Sequence, residues 1–313
     1  MSLFMSGKDL GEAGTAIPPR EGDLRIRAVF GPTHGLAVVE RGPGYRSRPR
    51  VHDAEQLVWV VDGETWFYVE EEGYHLRPGD FLRIPRMAAH WERNRSDRPC
   101  TTVYANSPVL DPFTRRGAVG LFGEDEDPVL RVTARSIPVS DEYTKAEDRI
   151  GRPARTGLHR PAADVPGLRQ AMQMPGEAAF NALAYGHELG LLVGIRPGGY
   201  HWRPHFHDCE QINYLADGEM WIFVEEEGFH LRAGDFLRVP RMAVHWAWNR
   251  ADRPCVTYET HSPPLDPRTI RGSVGLFEDG EPPYPPKGAR AVFTPDHSAA
   301  VEAKYREDRP ACP

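Results

Sequence analysis

Three histidines carry the strongest chemical signal in the chain. His205 and His207 are separated by one residue, so on a strand their side chains face the same way. His245 lies further on, between Pro240 and Asn249. If these segments are neighbouring antiparallel strands, three neutral imidazole nitrogens converge on one point, a donor set suited to Zn, Fe, Ni or Cu. Gln211 follows four residues after His207. Its amide offers a carbonyl oxygen without charge, which makes it a weak ligand or an outer partner of the site. Glu210 points to the opposite face of a strand, so the acid to examine is the more distant Glu259. Asn213 shares the face of Gln211, and with Glu259 and His261 it forms the candidate catalytic set. His201, Trp202, Cys209 and Arg241 are candidates for the substrate pocket. Trp246 and Trp248 fall on the face opposite His245 and are expected in packing.

The elements that position these residues occur twice. Residues 44–122 align with 199–277 at a constant offset of 155 without a gap, and 50 of the 79 pairs are identical. Such self-similarity marks duplication. Each copy reads as short strands. LVWVVDGETWFYVEEEG (57–73) and INYLADGEMWIFVEEEG (212–228) place Asp-Gly between β-branched and aromatic runs, a hairpin signal. FLRIP and FLRVP follow after a Gly-Asp turn. Many short antiparallel strands at this spacing imply a sandwich or barrel.

The first copy departs from the second where the chemistry lies. Arg50 stands at the place of His205, while His52, Gln56 and His90 match His207, Gln211 and His245. A guanidinium accepts no bond and ligates no metal. Its parity with His52 points it inward, where it needs an acid partner or an anionic ligand to offset desolvation. The expectation is a degenerate N-terminal site and one divalent transition metal per chain, in the C-terminal copy.

Composition bounds the rest. The chain has 313 residues with 30 Gly and 30 Pro, which favours short strands and tight turns over long helices. A net charge of −7 gives no electrostatic footprint for nucleic acid or an anionic membrane. The opening residues lack the apolar core of a secretory signal and no 18-residue apolar stretch occurs, so a cytoplasmic protein is expected. Four cysteines in so long a chain make no disulfide framework.

The segment from Gly199 through His205, His207 and Gln211 to Gly218 resembles the first motif of the cupin superfamily, and Gly234, Pro240, His245 and Asn249 resemble the second. The one departure is Gln211, where cupins commonly carry glutamate. The resemblance is to a two-domain bicupin and to the three-histidine non-haem metal dioxygenases. More distantly, EEEGFHLRAGDFLRVP (225–240) is similar to 3-hydroxyanthranilate dioxygenases, and polyketide-cyclase-like cupins are a further likeness. It implies an all-β fold of two tandem antiparallel jelly-roll (double-stranded β-helix) barrels with a short helical linker and tail. The expected bounds are 20–135 and 177–298 for the barrels, 136–176 for the linker and 299–313 for the tail. It implies Fe(II) as the favoured ion, with Zn, Ni or Mn as alternatives, and an Fe(II)-dependent dioxygenase acting with O₂ on a small aromatic or enolisable substrate. A Lewis-acid cyclase or isomerase, or a small-ligand-binding bicupin without catalysis, are the other readings. The barrels are expected to pair as an intramolecular pseudo-dimer, with a homodimer left open.

Overall fold

The computed structural model describes residues 3–10, 19, 21–70, 72–110, 180–202, 204–264 and 295–305, with short strands at 136–138, 159–160, 167–169 and 274–276. The short helix read over 141–149 lies outside the described residues. The chain divides into two compact units. The C-terminal unit comprises Met1–Asp9, Gly167–Leu183 and Leu192–Pro313, and the N-terminal unit comprises Leu10–Pro166 and Ala184–Leu191.

The N-terminal unit has two antiparallel sheets. One runs His159–Arg160, Phe81–Ile84, Glu55–Asp62, Cys100–Ser107, Gly35–Arg41, Leu24–Phe30 across its width, and the other Ser136–Pro138, Arg50–His52, His90–Arg93, Thr65–Val69, Glu72–Leu76. The second copy repeats the plan. A seven-stranded sheet runs Phe4–Met5, Phe236–Val239, Glu210–Asp217, Cys255–Ser262, Gly190–Arg196, Phe180–Tyr185, Gly167–Arg169. A five-stranded sheet runs Glu227–Arg232, Glu219–Val224, His245–Trp248, His205–His207, Val274–Leu276. The helix Pro295–Ala303 closes the described chain.

Strand alternation sorts the side chains. Met220, Ile222 and Val224 join Leu215, Leu237 and Val239 in one buried cluster that draws on both sheets of the C-terminal unit. Trp221 and Phe223, the intervening residues, pack on the other face with Trp246 and with Val301 of the helix. In the N-terminal unit Val58, Val60, Phe67, Val69, Leu82 and Ile84 form the equivalent core.

The expected barrels are not barrels. Four open antiparallel sheets are present, and none is hydrogen-bonded back onto itself among the described residues. The two layers of each unit are joined by interdigitated apolar side chains rather than by a continuous ladder, as in a sandwich. The Asp-Gly hairpins are likewise corrected. Glu210–Asp217 belongs to the seven-stranded sheet and Glu219–Val224 to the five-stranded one, so Gly218 is a corner between layers. Its φ is +80°, and a Cβ there would lie 2.7 Å from Cys255 Cβ. Gly63 makes the same corner at φ +72°, with Pro99 O 2.3 Å from the place of a Cβ. Glycine serves close approach here as well as positive φ. The hairpin proper follows the corner, with Val224 paired to Glu227 across Glu225 and Glu226.

Candidate metal centre

His205 and His245 are direct partners across adjacent strands, and His207 follows His205 on the same face. Ring centroids lie 4.2 Å apart for His205 and His245, 4.8 Å for His205 and His207, and 4.6 Å for His207 and His245. Each ring offers one nitrogen within 4.8 Å of the others, and all three residues are buried. The loop before His245 is pinned by Met242 N, which donates to His207 O at 2.8 Å. His245 Nδ1 donates to Ala243 O at 3.0 Å, which leaves Nε2 with a lone pair, buried and without a hydrogen-bond partner. Burial lowers the His245 pKa to about 4. Burial, with His245, His205 and His261 beside it, lowers that of His207 well below the usual range. His207 and His245 are therefore held neutral, the protonation state in which imidazole ligates. An orphaned nitrogen in such a trio fits a divalent transition metal.

The trio opens onto a cavity of about 170 Å³. Gln211, Asn213, Glu259, His261 and Trp202 line it, together with Leu192, Met220 and Ile222. Gln211 Oε1 faces His261 Nε2 at 3.1 Å, and Gln211 Nε2 donates to Asn213 Oδ1 at 2.8 Å. Glu259 Oε1 accepts from Arg196 at 2.9 Å and from the Thr257 hydroxyl at 3.1 Å. Trp202 meets His205 edge-on, with centroids 5.9 Å apart.

The other residues read as pocket candidates sit elsewhere. His201 bonds Glu302 at 2.8 Å and stacks on Trp248. Cys209 is buried in the bend that separates His205–His207 from Glu210–Asp217, where strand parity is interrupted. Arg241 is exposed and pairs with Asp208. Glu210 pairs with Arg238, on the face away from the cavity. Trp246 stacks on Phe223 and donates to Glu302 at 2.8 Å, so the packing role read from parity describes its surroundings.

In the first copy the same register places Arg50 opposite His90. Arg50 Nε donates to His52 Nε2 at 3.0 Å, and its terminal nitrogen pairs with Glu92 at 3.3 Å. Glu92 also binds Arg41 at 2.7 Å and accepts from Tyr104 at 3.1 Å. The guanidinium thus bonds the histidine whose counterpart, His207, belongs to the trio. Glu92 is the acid partner that Arg50 required, and the aligned copies signal it. Glu92 and Tyr104 align with Ala247 and Glu259 at the offset of 155, so the carboxylate that pairs with the guanidinium stands on one sheet in the first copy and on the other sheet in the second. Arg196, the cavity's guanidinium, carries no such signal because Arg41 matches it.

The cupin-domain family model matches residues 37–105 and 191–261. The chain belongs to the cupin superfamily and is a bicupin, with a three-histidine triad in its second copy. It is similar to quercetin 2,3-dioxygenase of Bacillus subtilis, 23% identical over 238 residues that cover 67% of this chain and 68% of that protein. It is similar to the polyketide synthase CurC of Streptomyces cyaneus, 31% identical over 146 residues, 44% of this chain and 86% of that protein. Among solved structures, oxalate decarboxylase of Lactobacillus farciminis superposes with a TM-score of 0.61 at 13% identity, over 84% of this chain and 86% of that one. At that identity the likeness is one of fold.

Among the described residues no helix is long and apolar enough to cross a membrane.

Proposed function

We propose that this bicupin is an Fe(II)-dependent dioxygenase acting on a small aromatic or enolisable substrate in its C-terminal unit. The observation that carries the reading is the buried trio His205, His207 and His245 facing a small cavity whose one lining guanidinium among the described residues, Arg196, is already paired with Glu259. A bound divalent ion supplies positive charge that polarises an oxygen-bearing substrate and, as iron, the electrons that dioxygen chemistry draws on. The three imidazoles hold that ion. With Arg196 engaged, the wall offers no free cation among the described residues for a second carboxylate, which favours a phenol or enol over a dicarboxylate. A cavity of about 170 Å³ suits one ring, since an apolar cavity of roughly 150 Å³ accepts benzene. Leu192, Met220, Ile222 and Trp202 exclude water from the ring. Glu259, fixed by Arg196 and Thr257, accepts the substrate's hydroxyl proton. The likeness to quercetin 2,3-dioxygenase supports the oxygenase reading.

A second reading rests on the likeness to a polyketide synthase protein. In it, Zn or Ni takes the place of iron and the same residues serve a cyclase or isomerase that needs no oxygen. One experiment separates them. Protein loaded anaerobically with Fe(II) is mixed with one-ring catechols and β-diketones, and oxygen consumption is followed. Turnover that needs both iron and O₂ supports the dioxygenase. Turnover unchanged by removing O₂ or by replacing iron with zinc overturns it in favour of Lewis-acid chemistry.

A further inference from the structure

We propose that His261 and Asn213 clamp Gln211, so that its carbonyl oxygen is engaged by His261 and the three histidines alone hold the ion. This deepens the reading that the trio binds a metal, and rests on it. The clamp follows from the ladder. Gln211 lies opposite His261 on one side, and Asn213 lies opposite Leu237 on the other.

A backbone carbonyl sets the direction of the whole chain of bonds. Leu237 O can only accept, so the Asn213 atom 3.3 Å from it is Nδ2. Asn213 Oδ1 is then the atom turned to Gln211, and it accepts from Gln211 Nε2 at 2.8 Å. Gln211 Oε1 is left facing His261, and it accepts from Nε2–H at 3.1 Å. His261 therefore carries its proton on Nε2. All four groups are buried, where low dielectric strengthens each bond and makes its loss expensive.

The first copy holds the same glutamine without the clamp. Gln56 lies opposite Asn106, and Val58 stands where Asn213 stands. Gln56 Oε1 is buried without a partner, while Asn106 Oδ1 accepts from Leu110 N at 2.8 Å. The clamp residues are thus present in the copy with a complete histidine trio and absent in the copy where Arg50 replaces a histidine. The consequence for function is that a coordination position commonly filled by a protein oxygen in this superfamily is kept for substrate.

Co(II) serves as the probe ion, added to full-length apoprotein and followed by visible absorption. Wild type and Q211A should each bind one equivalent with superimposable bands. The N213V/H261N variant, which copies the N-terminal surroundings, should show shifted bands, and adding Q211A to it should remove the shift. A changed spectrum in Q211A alone, or an unshifted one in N213V/H261N, overturns the clamp. Nitrogen-15 histidine NMR of the wild-type apoprotein tests it without metal. His261, identified by its loss in H261N, should show the Nε2–H tautomer, and an Nδ1–H tautomer overturns the proposal. Failure of wild type to bind Co(II) would instead count against the metal reading, with the tautomer still deciding the clamp.

Discussion

Arg50 is the residue on which the difference between the two copies turns. It shares the register of His205, lies opposite His90 as His205 lies opposite His245, and bonds His52. Replacing Arg50 with histidine should therefore rebuild a trio with His52 and His90, whose Nε2 is already buried and unpartnered. Wild type is expected to bind one Co(II) or Zn(II) per chain and R50H two, measured by titration of apoprotein. A stoichiometry still at one would show that the first copy has lost more than a ligand. H245A in the wild-type chain should weaken binding at least tenfold, since no other imidazole takes its place. The cysteines give a separate residue-scale test. Burial raises the thiol pKa of Cys100 and Cys255 to about 11 and of Cys209 to about 12, so their reactive thiolates are scarce at pH 8. In a C312S variant, removing the one cysteine outside the described residues, no thiol should react with a colour reagent until denaturant is added. Rapid reaction of even one would contradict their burial. The histidines, Gln211 and the contrast with Arg50 were legible in the sequence because strand parity and a gapless repeat fix which side chains share a face. The placement of His201, Cys209 and Arg241 was not. Cys209 and Arg241 lie at a bend and a turn, and His201 in an isolated bridge to Trp248 outside any strand, where parity ends and packing decides direction.

Strands and corners account for what the motifs conserve between copies. Asn249 is fully buried, and its Nδ2 donates to Arg196 O, Pro197 O and Arg253 O at 2.9–3.0 Å, while Oδ1 accepts from Ala251 N. Asn94 makes the same clasp to Arg41 O, Gly42 O and Arg98 O. This motif residue thus ties backbone and stands apart from the residues that line the cavity. N249A leaves buried carbonyls unpaired and should destabilise the protein by roughly 2–4 kcal/mol, read as a lower denaturant midpoint. N94A should do the same, and a change below about 0.5 kcal/mol in either would remove the clasp from the account. At this scale the sequence misled on one point. Asp217-Gly218 has the local chemistry of a hairpin, yet the strands it joins enter different sheets. Local residues fix that the chain turns. Which neighbour each strand then pairs with is fixed by long-range packing of Leu215, Met220 and Ile222 in one core, which no short window contains. The same reason explains the open sheets, since closure depends on pairings between strands far apart in sequence.

Across the whole molecule, both units bury histidines that are held neutral, and this gives the apoprotein a defined response to acid. Burial lowers His90 to about 3 and His245 to about 4, and it lowers His52 and His207 well below the usual range. Unfolded histidine titrates near 6.5. Above that pH neither state binds these protons and their effect on stability is nil. As pH falls below 6.5 the unfolded chain takes up protons that the folded chain refuses, so stability declines. For each group the decline levels off only once pH passes the folded value, near 4 for His245 and near 3 for His90. Thermal melting of apoprotein between pH 7.5 and 4.5 should show a flat stretch above about 7 and then a fall of several degrees, equivalent to a few kcal/mol. A metal held by the C-terminal trio opposes that fall for His207 and His245 alone, because a proton and an ion compete for the same nitrogen. Zn(II) should therefore raise the melting temperature at pH 7 and lose this effect as pH drops, whereas the acid response from His52 and His90 persists with Zn(II) present. R50H should bring those two histidines under the metal's protection as well. A melting temperature independent of pH between 6.5 and 4.5 in the apoprotein would mean that the buried histidines accept protons without strain, and the neutral state of His207 and His245 on which metal binding rests would have to be given up.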